Sequence, residues 1–126
     1  VADSEGIDVL PAPDAPFAAG IDSSRLHAVI EYARMNYEWV LIDVPVVFQR
    51  LSLMAISEAD RAFLVSTSEL PSLHLARKAV NLLDQLGFPK ERFQVIMNRI
   101  DRRDELGAPE IEKLFNCSVY VQLYVK

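Results

Sequence analysis

The 126 residues suit one domain or one piece of a larger one. Hydrophobic residues make up 51% and charged residues 25%, enough apolar surface to bury a core, which excludes a disordered chain. A net charge of -5 argues against nucleic acid as a bulk partner, and no run of about eighteen apolar residues exists to cross a membrane as a helix.

The chain opens at Val1, without Met, in a polar and acidic stretch that is not a signal peptide, so a piece of a longer protein is expected. Ile7-Asp8-Val9-Leu10, stopped by Pro11 and Pro13, is a candidate strand, and residues 11–20 hold three of the seven prolines and read as a loop. Leu26, Val29, Ile30 and Ala33 follow the i, i+3, i+4, i+7 rule of an amphipathic helix, with Asp22 or Ser23 as its N-cap. Trp39-Val40-Leu41-Ile42 is a short apolar run ending at Asp43, which reads as a strand buried on both faces. A short helix is predicted over residues 51–58. Ala62-Phe63-Leu64-Val65 is the next apolar run and ends at Ser66-Thr67. Leu73, Ala76, Val80 and Leu83 form a second helical stripe, opened by Pro71 and closed by Gly87. Residues 93–97 are a third apolar run and end at Asn98-Arg99. The mixture of Arg99, Arg102 and Arg103 with Asp101, Asp104 and Glu105 reads as a solvated loop. Residues 109–115 form a last helix with Ile111, Leu114 and Phe115 facing inward, and residues 119–123 a last strand. The lone Cys117 excludes an internal disulfide and lacks the Cys or His neighbours of a metal site. A reducing cytoplasm is therefore the expected compartment. Strand and helix alternate throughout, which predicts a single α/β domain over residues 1–126 with a mostly parallel sheet and flanking helices.

In open parallel sheets, ligands bind beyond the carboxyl ends of the strands. Three successive ends here are polar: Asp43, Ser66-Thr67 and Asn98. A carboxylate after a buried strand can hold a hydrated Mg2+ beside a phosphate, because hard cations take oxygen ligands and keep their waters. Asp43 can equally cap its own turn, which Pro45 stiffens. Asn98 offers an amide donor and acceptor to a ligand, or to its own loop. His27 and His74 sit on predicted helices without a nucleophile beside them in any motif.

Tyr37-Glu38-Trp39-Val40-Leu41-Ile42-Asp43-Val44-Pro45 resembles the Walker B strand of the MinD/ParA-like ATPases. Val65-Ser66-Thr67-Ser68-Glu69-Leu70-Pro71-Ser72-Leu73 is similar to that family's next strand end and helix start. Val95-Ile96-Met97-Asn98-Arg99 is similar to its adenine-reading strand end, and Gly6-Ile7-Asp8-Val9-Leu10-Pro11-Ala12 has a counterpart ahead of the Walker B helix. Leu70-Pro71-Ser72-Leu73, Gly87-Phe88 and Asn98-Arg99-Ile100-Asp101 together resemble the CpaE/TadZ pilus-assembly branch. The resemblance covers nearly the whole chain. It implies an incomplete P-loop NTPase-like (SIMIBI/MinD-type) three-layer fold, with ATP and Mg2+ as cofactors of the intact domain. Asp43 would position Mg2+ through water, and Pro45, Thr67, Asn98 and Arg99 would lie at the nucleotide.

Two departures bear on activity. A GxxxxGK[ST] loop wraps phosphates with backbone N–H groups and neutralises them with a lysine, and none of the four glycines, Gly6, Gly20, Gly87 and Gly107, sits in one. In the family that loop lies N-terminal to everything matched, so the C-terminal portion of a domain is expected, with no nucleotide bound and no hydrolysis by this piece alone. Val46, Val47 and Phe48 stand where the family has glycine near the γ-phosphate, and bulky residues resist the conformations glycine allows. The last strand is also not followed by the family's Leu-Pro-x-Asp segment. The expected role is an assembly or localisation factor for a pilus or secretion machine: cytoplasmic, recruited to the cell pole or inner membrane by partners, and self-associating through unpaired strand edges as a homodimer. A nucleotide-independent scaffold of the same fold is the alternative reading. A phospho-receiver domain with Asp43 as acceptor is a further alternative, but it lacks the acidic pair and the lysine that such chemistry needs.

Overall fold

The computed structural model describes residues 5–11, 22–45, 49–104 and 106–126. The chain divides into two compact units, Val1–Val40 and Leu41–Lys126. The valine and phenylalanine positions 46–48 and most of the proline-rich stretch, residues 12–20, lie outside the described residues, as does Glu105.

The first unit is built on α1 (Ser23–Asn36). Asp22 caps it as the sequence predicts: its carboxylate accepts from Ser24 Oγ at 2.7 Å and from the Arg25 N–H at 2.8 Å, and these bonds hold the carboxyl below its ordinary range. Ile30 is buried and Leu26 and Ala33 half-buried, whereas Val29, expected in the same stripe, is exposed. The helix stops at Tyr37, whose N–H still reaches the Ala33 carbonyl at 2.9 Å. The Tyr37 hydroxyl donates to the Asp8 carboxylate, and that bond raises the phenol above its usual range. Residues 7–10 hold a single bridge at Asp8 instead of the expected strand.

The expectation of a doubly buried strand at residues 39–42 is also corrected. These residues are irregular, with Trp39 81% and Leu41 93% exposed. A parallel strand exists only through ladder bonds to a neighbour, and among the described residues none of the three ladder strands pairs with this run.

The second unit runs α2 (Arg50–Glu58), β1 (Ala62–Ser66), α3 (Leu70–Gln85), a 3-10 turn (Lys90–Arg92), β2 (Phe93–Ile100), α4 (Ala108–Phe115) and β3 (Val119–Tyr124). The three strands form one parallel sheet in the order β1-β2-β3. Parallel neighbours need a crossover, and α3 and α4 supply the two here; α3 packs on β1 and on α4, and α4 on β3. Leu73, Ala76, Val80 and Leu83 of α3, Ile111 and Phe115 of α4, Phe93, Val95, Met97 and Ile100 of β2 and Ile56 of α2 make one core. Each fully buried large side chain there contributes roughly 1.5–3 kcal/mol by leaving water. Leu114 is not among them; it is 38% exposed, against expectation.

Local chemistry sets where the elements stop. Pro71 enters α3 in its first turn, where a missing N–H costs nothing. At the other end Gly87 adopts φ 79, and the bonds Phe88 N–H to Leu83 O and Gly87 N–H to Asp84 O, both 3.0 Å, form a Schellman motif. Arg92 caps the end of α2 from outside. Its guanidinium donates to the carbonyls of Ala59, of Ser57 at 3.3 Å and of Asp60 at 3.4 Å, groups that a helix end leaves without partners.

Candidate functional site

The carboxyl ends of β1, β2 and β3 carry the polar residues of the second unit, and each is placed by a local device. Ser66 is the last residue of β1 and is almost completely buried. Its hydroxyl donates to the Thr67 carbonyl at 3.1 Å, so the Ser72 hydroxyl, 3.0 Å away, is the donor to it. The Ser72 oxygen in turn accepts the Thr67 N–H at 3.0 Å. Three residues at the β1–α3 turn are thereby closed into one ring of bonds, and Thr67 is half-buried within it.

β2 does not end at Asn98, as its sequence suggests, but runs on to Ile100. Met97 pairs with Gln122 and Ile100 with Tyr124, three residues of β2 against two of β3, so the Asn98-Arg99 step is a β-bulge. Arg99 takes φ 54, the left-handed conformation, and its N–H is received by Asn98 Oδ1 at 3.0 Å. The extra residue shifts the pleat by one: 93, 95 and 97 face the core, and then 100 does. Without it Arg99 would occupy the inward position. The bulge thus keeps a guanidinium out of the core and leaves it exposed at the sheet's rim.

Ser66 and Met97 are direct partners, and Thr67 and Asn98 each follow one of that pair in the chain. Asp43 lies on an irregular segment of the same unit whose Val44 packs against the core; its carboxylate and Pro45 are exposed. Among the described residues no hydrogen bond joins Asp43 to Thr67 or Asn98.

The loop after β2 is more organised than a solvated run of charges. Asp101 holds Arg103 through its N–H at 2.9 Å and through the guanidinium at 2.8 to 3.3 Å, and the pairing lowers the Asp101 carboxyl below its ordinary range. Arg102 lies 6.0 Å from the centroid of the Tyr124 ring at the end of β3. Arg102, Asp104, Leu106, Gly107 and Tyr124 line an open concavity of about 490 Å3. Gly107 is the N-cap of α4, and a Cβ there would stand 2.7 Å from a carboxylate oxygen of Glu110. This concavity was not legible as a site, because its residues come from one loop and a distant strand end and match no motif spacing.

Taken one by one, these side chains have the chemistry to meet a base, a flat ring or a hydrated cation. The Asn98 amide spends one oxygen lone pair on Arg99, which leaves Nδ2 as donor to a base. Arg102 and Tyr124 give a cationic and aromatic wall suited to a flat ring, and the exposed Asp43 gives a hard oxygen for a hydrated cation.

No protein-family model matches the chain. It is 30% identical over 91 residues to the septum site-determining protein MinD of Thermotoga maritima, across 72% of this chain and 34% of that protein. The crystal structure of a ParA family ATPase from Chlorobium tepidum TLS matches 98% of this chain and 51% of that one, with a TM-score of 0.84 and 22% identity. The chain therefore spans about a third of the length of the MinD protein and half of the ParA chain. The structural likeness gives the chain a P-loop NTPase-like fold, a parallel sheet with flanking helices, and the two matches together support a relationship to the MinD/ParA ATPases. Among the described residues no helix is long and apolar enough to cross a membrane.

Proposed function

We propose that this chain is the C-terminal part of a MinD/ParA-like ATPase domain, and that its sheet rim holds the base side of an adenine nucleotide. The observation that carries this reading is that Thr67 and Asn98 directly follow the paired Ser66 and Met97 of adjacent parallel strands, in the same unit as the Arg102–Tyr124 concavity. Ligands of open parallel sheets collect at that rim. In this reading Asn98 donates to the base, Arg99 and Thr67 flank it, Pro45 fixes the backbone after Asp43, and Asp43 orients Mg2+ through water. ATP and Mg2+ are cofactors of the whole protein, and the 126 residues alone do not hydrolyse ATP.

The finer role in this proposal is that of the CpaE/TadZ branch: an assembly factor for a pilus or secretion machine. It works in the cytoplasm, pairs with a second copy and is brought to the cell pole or inner membrane by its partners. What supports this finer role is the resemblance carried by Leu70-Pro71-Ser72-Leu73, Gly87-Phe88 and Asn98-Arg99-Ile100-Asp101; the MinD identity supports the wider family.

The test is calorimetric titration of ATP into the full-length protein, with and without Mg2+. Mg2+-dependent binding is expected, weakened about tenfold in Asn98→Ala, the loss of one or two hydrogen bonds. Heat-silent titrations in both conditions would leave the fold to a nucleotide-independent scaffold. A tagged full-length protein spread evenly through cells that build the pilus would remove the assembly role.

A further inference from the structure

Among the described residues, one side-chain hydrogen bond ties the turn after β1 to the loop after β2. Ser68 Oγ donates to Asp104 Oδ2 at 2.7 Å, across 36 residues of sequence. The same carboxylate oxygen accepts the Asp101 N–H at 3.2 Å, and the Asp104 N–H returns to the Asp101 carbonyl at 2.9 Å. Asp104 thus closes its own turn and grips the neighbouring strand's turn with one atom. On the other side Ser68 directly follows Thr67, whose N–H is fixed by Ser72 of α3. Hydrogen bonds thus link Ser72 in the first turn of α3 to Thr67, the backbone carries the connection on to Ser68, and hydrogen bonds continue from Ser68 to Asp104, Asp101 and Arg103. Asp104 is itself a wall of the concavity.

We infer that the Ser68–Asp104 hydrogen bond is a latch that sets the position of the concavity's wall from the β1–α3 turn. Asp104 is the positioning residue, and Ser68 is its catch. From β3 the loop is held by Gln122 Nε2, which donates to the Leu106 carbonyl at 3.4 Å, and by the Arg102–Tyr124 ring contact at 6.0 Å; Ser68 is its tie to the β1–α3 turn. Among the described residues Arg103 bonds within the loop, to Asp101, and the exposed side chains at 102, 103 and 104 give it little burial to hold it. A charge-assisted O–H to carboxylate bond is among the stronger polar contacts available at a surface. What the concavity holds rests on the nucleotide reading; the latch itself does not.

Amide hydrogen exchange on the unliganded chain decides the matter. In Ser68→Ala the amides of Asp101 and Asp104 are expected to exchange about tenfold faster, the consequence of losing one bond of this class. The α3 core amides, such as Val80 and Leu83, should stay unchanged. Ser68→Thr keeps the hydroxyl and should restore the slow rates; Asp104→Ala, which removes the acceptor oxygen, should speed exchange at least as much as Ser68→Ala does. Loop amides that exchange equally in wild type and Ser68→Ala would overturn the latch, as would acceleration spread evenly over α3 and β2, which would mean general destabilisation. A parallel titration of the full-length protein with ATP and Mg2+ separates the two readings. Absent binding to wild type overturns the nucleotide proposal and leaves the exchange result to judge the latch.

Discussion

Arg99 shows how a single residue can report on a rim. A left-handed φ costs an L-residue roughly 1–2 kcal/mol unless the residue is glycine, yet Arg99 holds φ 54 in the bulge of β2. Arg99→Gly should therefore unfold at an equal or higher urea midpoint than wild type, while Arg99→Val, β-branched and averse to that region, should lose roughly 1–2 kcal/mol. If both variants lost the same amount, the backbone at 99 would not be what the bulge depends on. Cys117 makes a second prediction. Burial pushes its thiol up, the Glu112 carboxylate adds to this, and Lys90 opposes it. The folded chain thus keeps the thiol proton to a higher pH than the unfolded chain does. The stability this provides is complete below the unfolded thiol pKa, about 8.5, and is lost as pH rises through the folded value. Alkylation by iodoacetamide near pH 8 should accordingly run slower on the folded than on the urea-unfolded chain, and equal rates would show that Cys117 is not shielded.

Helix α4 makes the point at the next scale, because two of its apolar residues have different fates. Ile111 is completely buried and Leu114 is 38% exposed. Ile111→Ala should cost about 2–5 kcal/mol, as cavity-forming changes do, and Leu114→Ala roughly 1 kcal/mol or less; denaturant melts of the two variants compare them directly. The sequence could not separate them, since residues three apart share a helix face and only docking against β3 and α3 decides which edge of the stripe is covered. In α3 the stripe was legible in full, because Leu73, Ala76, Val80 and Leu83 repeat over three turns and Pro71 and Gly87 mark the ends. Gly87→Ala should destabilise by about 1 kcal/mol, since a Cβ meets no neighbour at that position and only the left-handed backbone penalises it. Thr67 was legible as the residue just past a strand end, whereas Asn98, read the same way, lies inside β2, which runs on to Ile100. The bulge at Asn98-Arg99 was not legible, because the extra residue is visible only when β2 is counted against β3. The Ser68–Asp104 contact was not either, because hydrogen bonds between distant loops leave no periodic trace.

Across the chain, apolar runs spaced by amphipathic stripes were enough to foresee a parallel sheet with helices, since strands buried by crossovers must be apolar along their length. Residues 39–42 carry the same pattern yet form no ladder, which shows that composition gives a segment the ability to pair and not the partner. β1 shows the related limit: read as buried on both faces, it is half open. Phe63 is 42% and Val65 58% exposed, and Phe63 leans on Tyr120 of β3 with ring centroids 5.0 Å apart, so apolar side chains lie on the sheet face away from the core. Among the described residues β1 is also an edge strand, with backbone groups on one side left for another chain. These two features together favour self-association. Sedimentation velocity should show a mass that rises with concentration in wild type. In Val65→Lys the rise should be smaller, because a lysine on an edge strand opposes pairing with a second copy while its stem still covers the sheet. Val65 is no part of the core cluster, so the thermal midpoint should move little, which keeps loss of association distinct from loss of fold. A wild-type chain of constant monomer mass at every concentration would show that this open face and edge do not bring copies together.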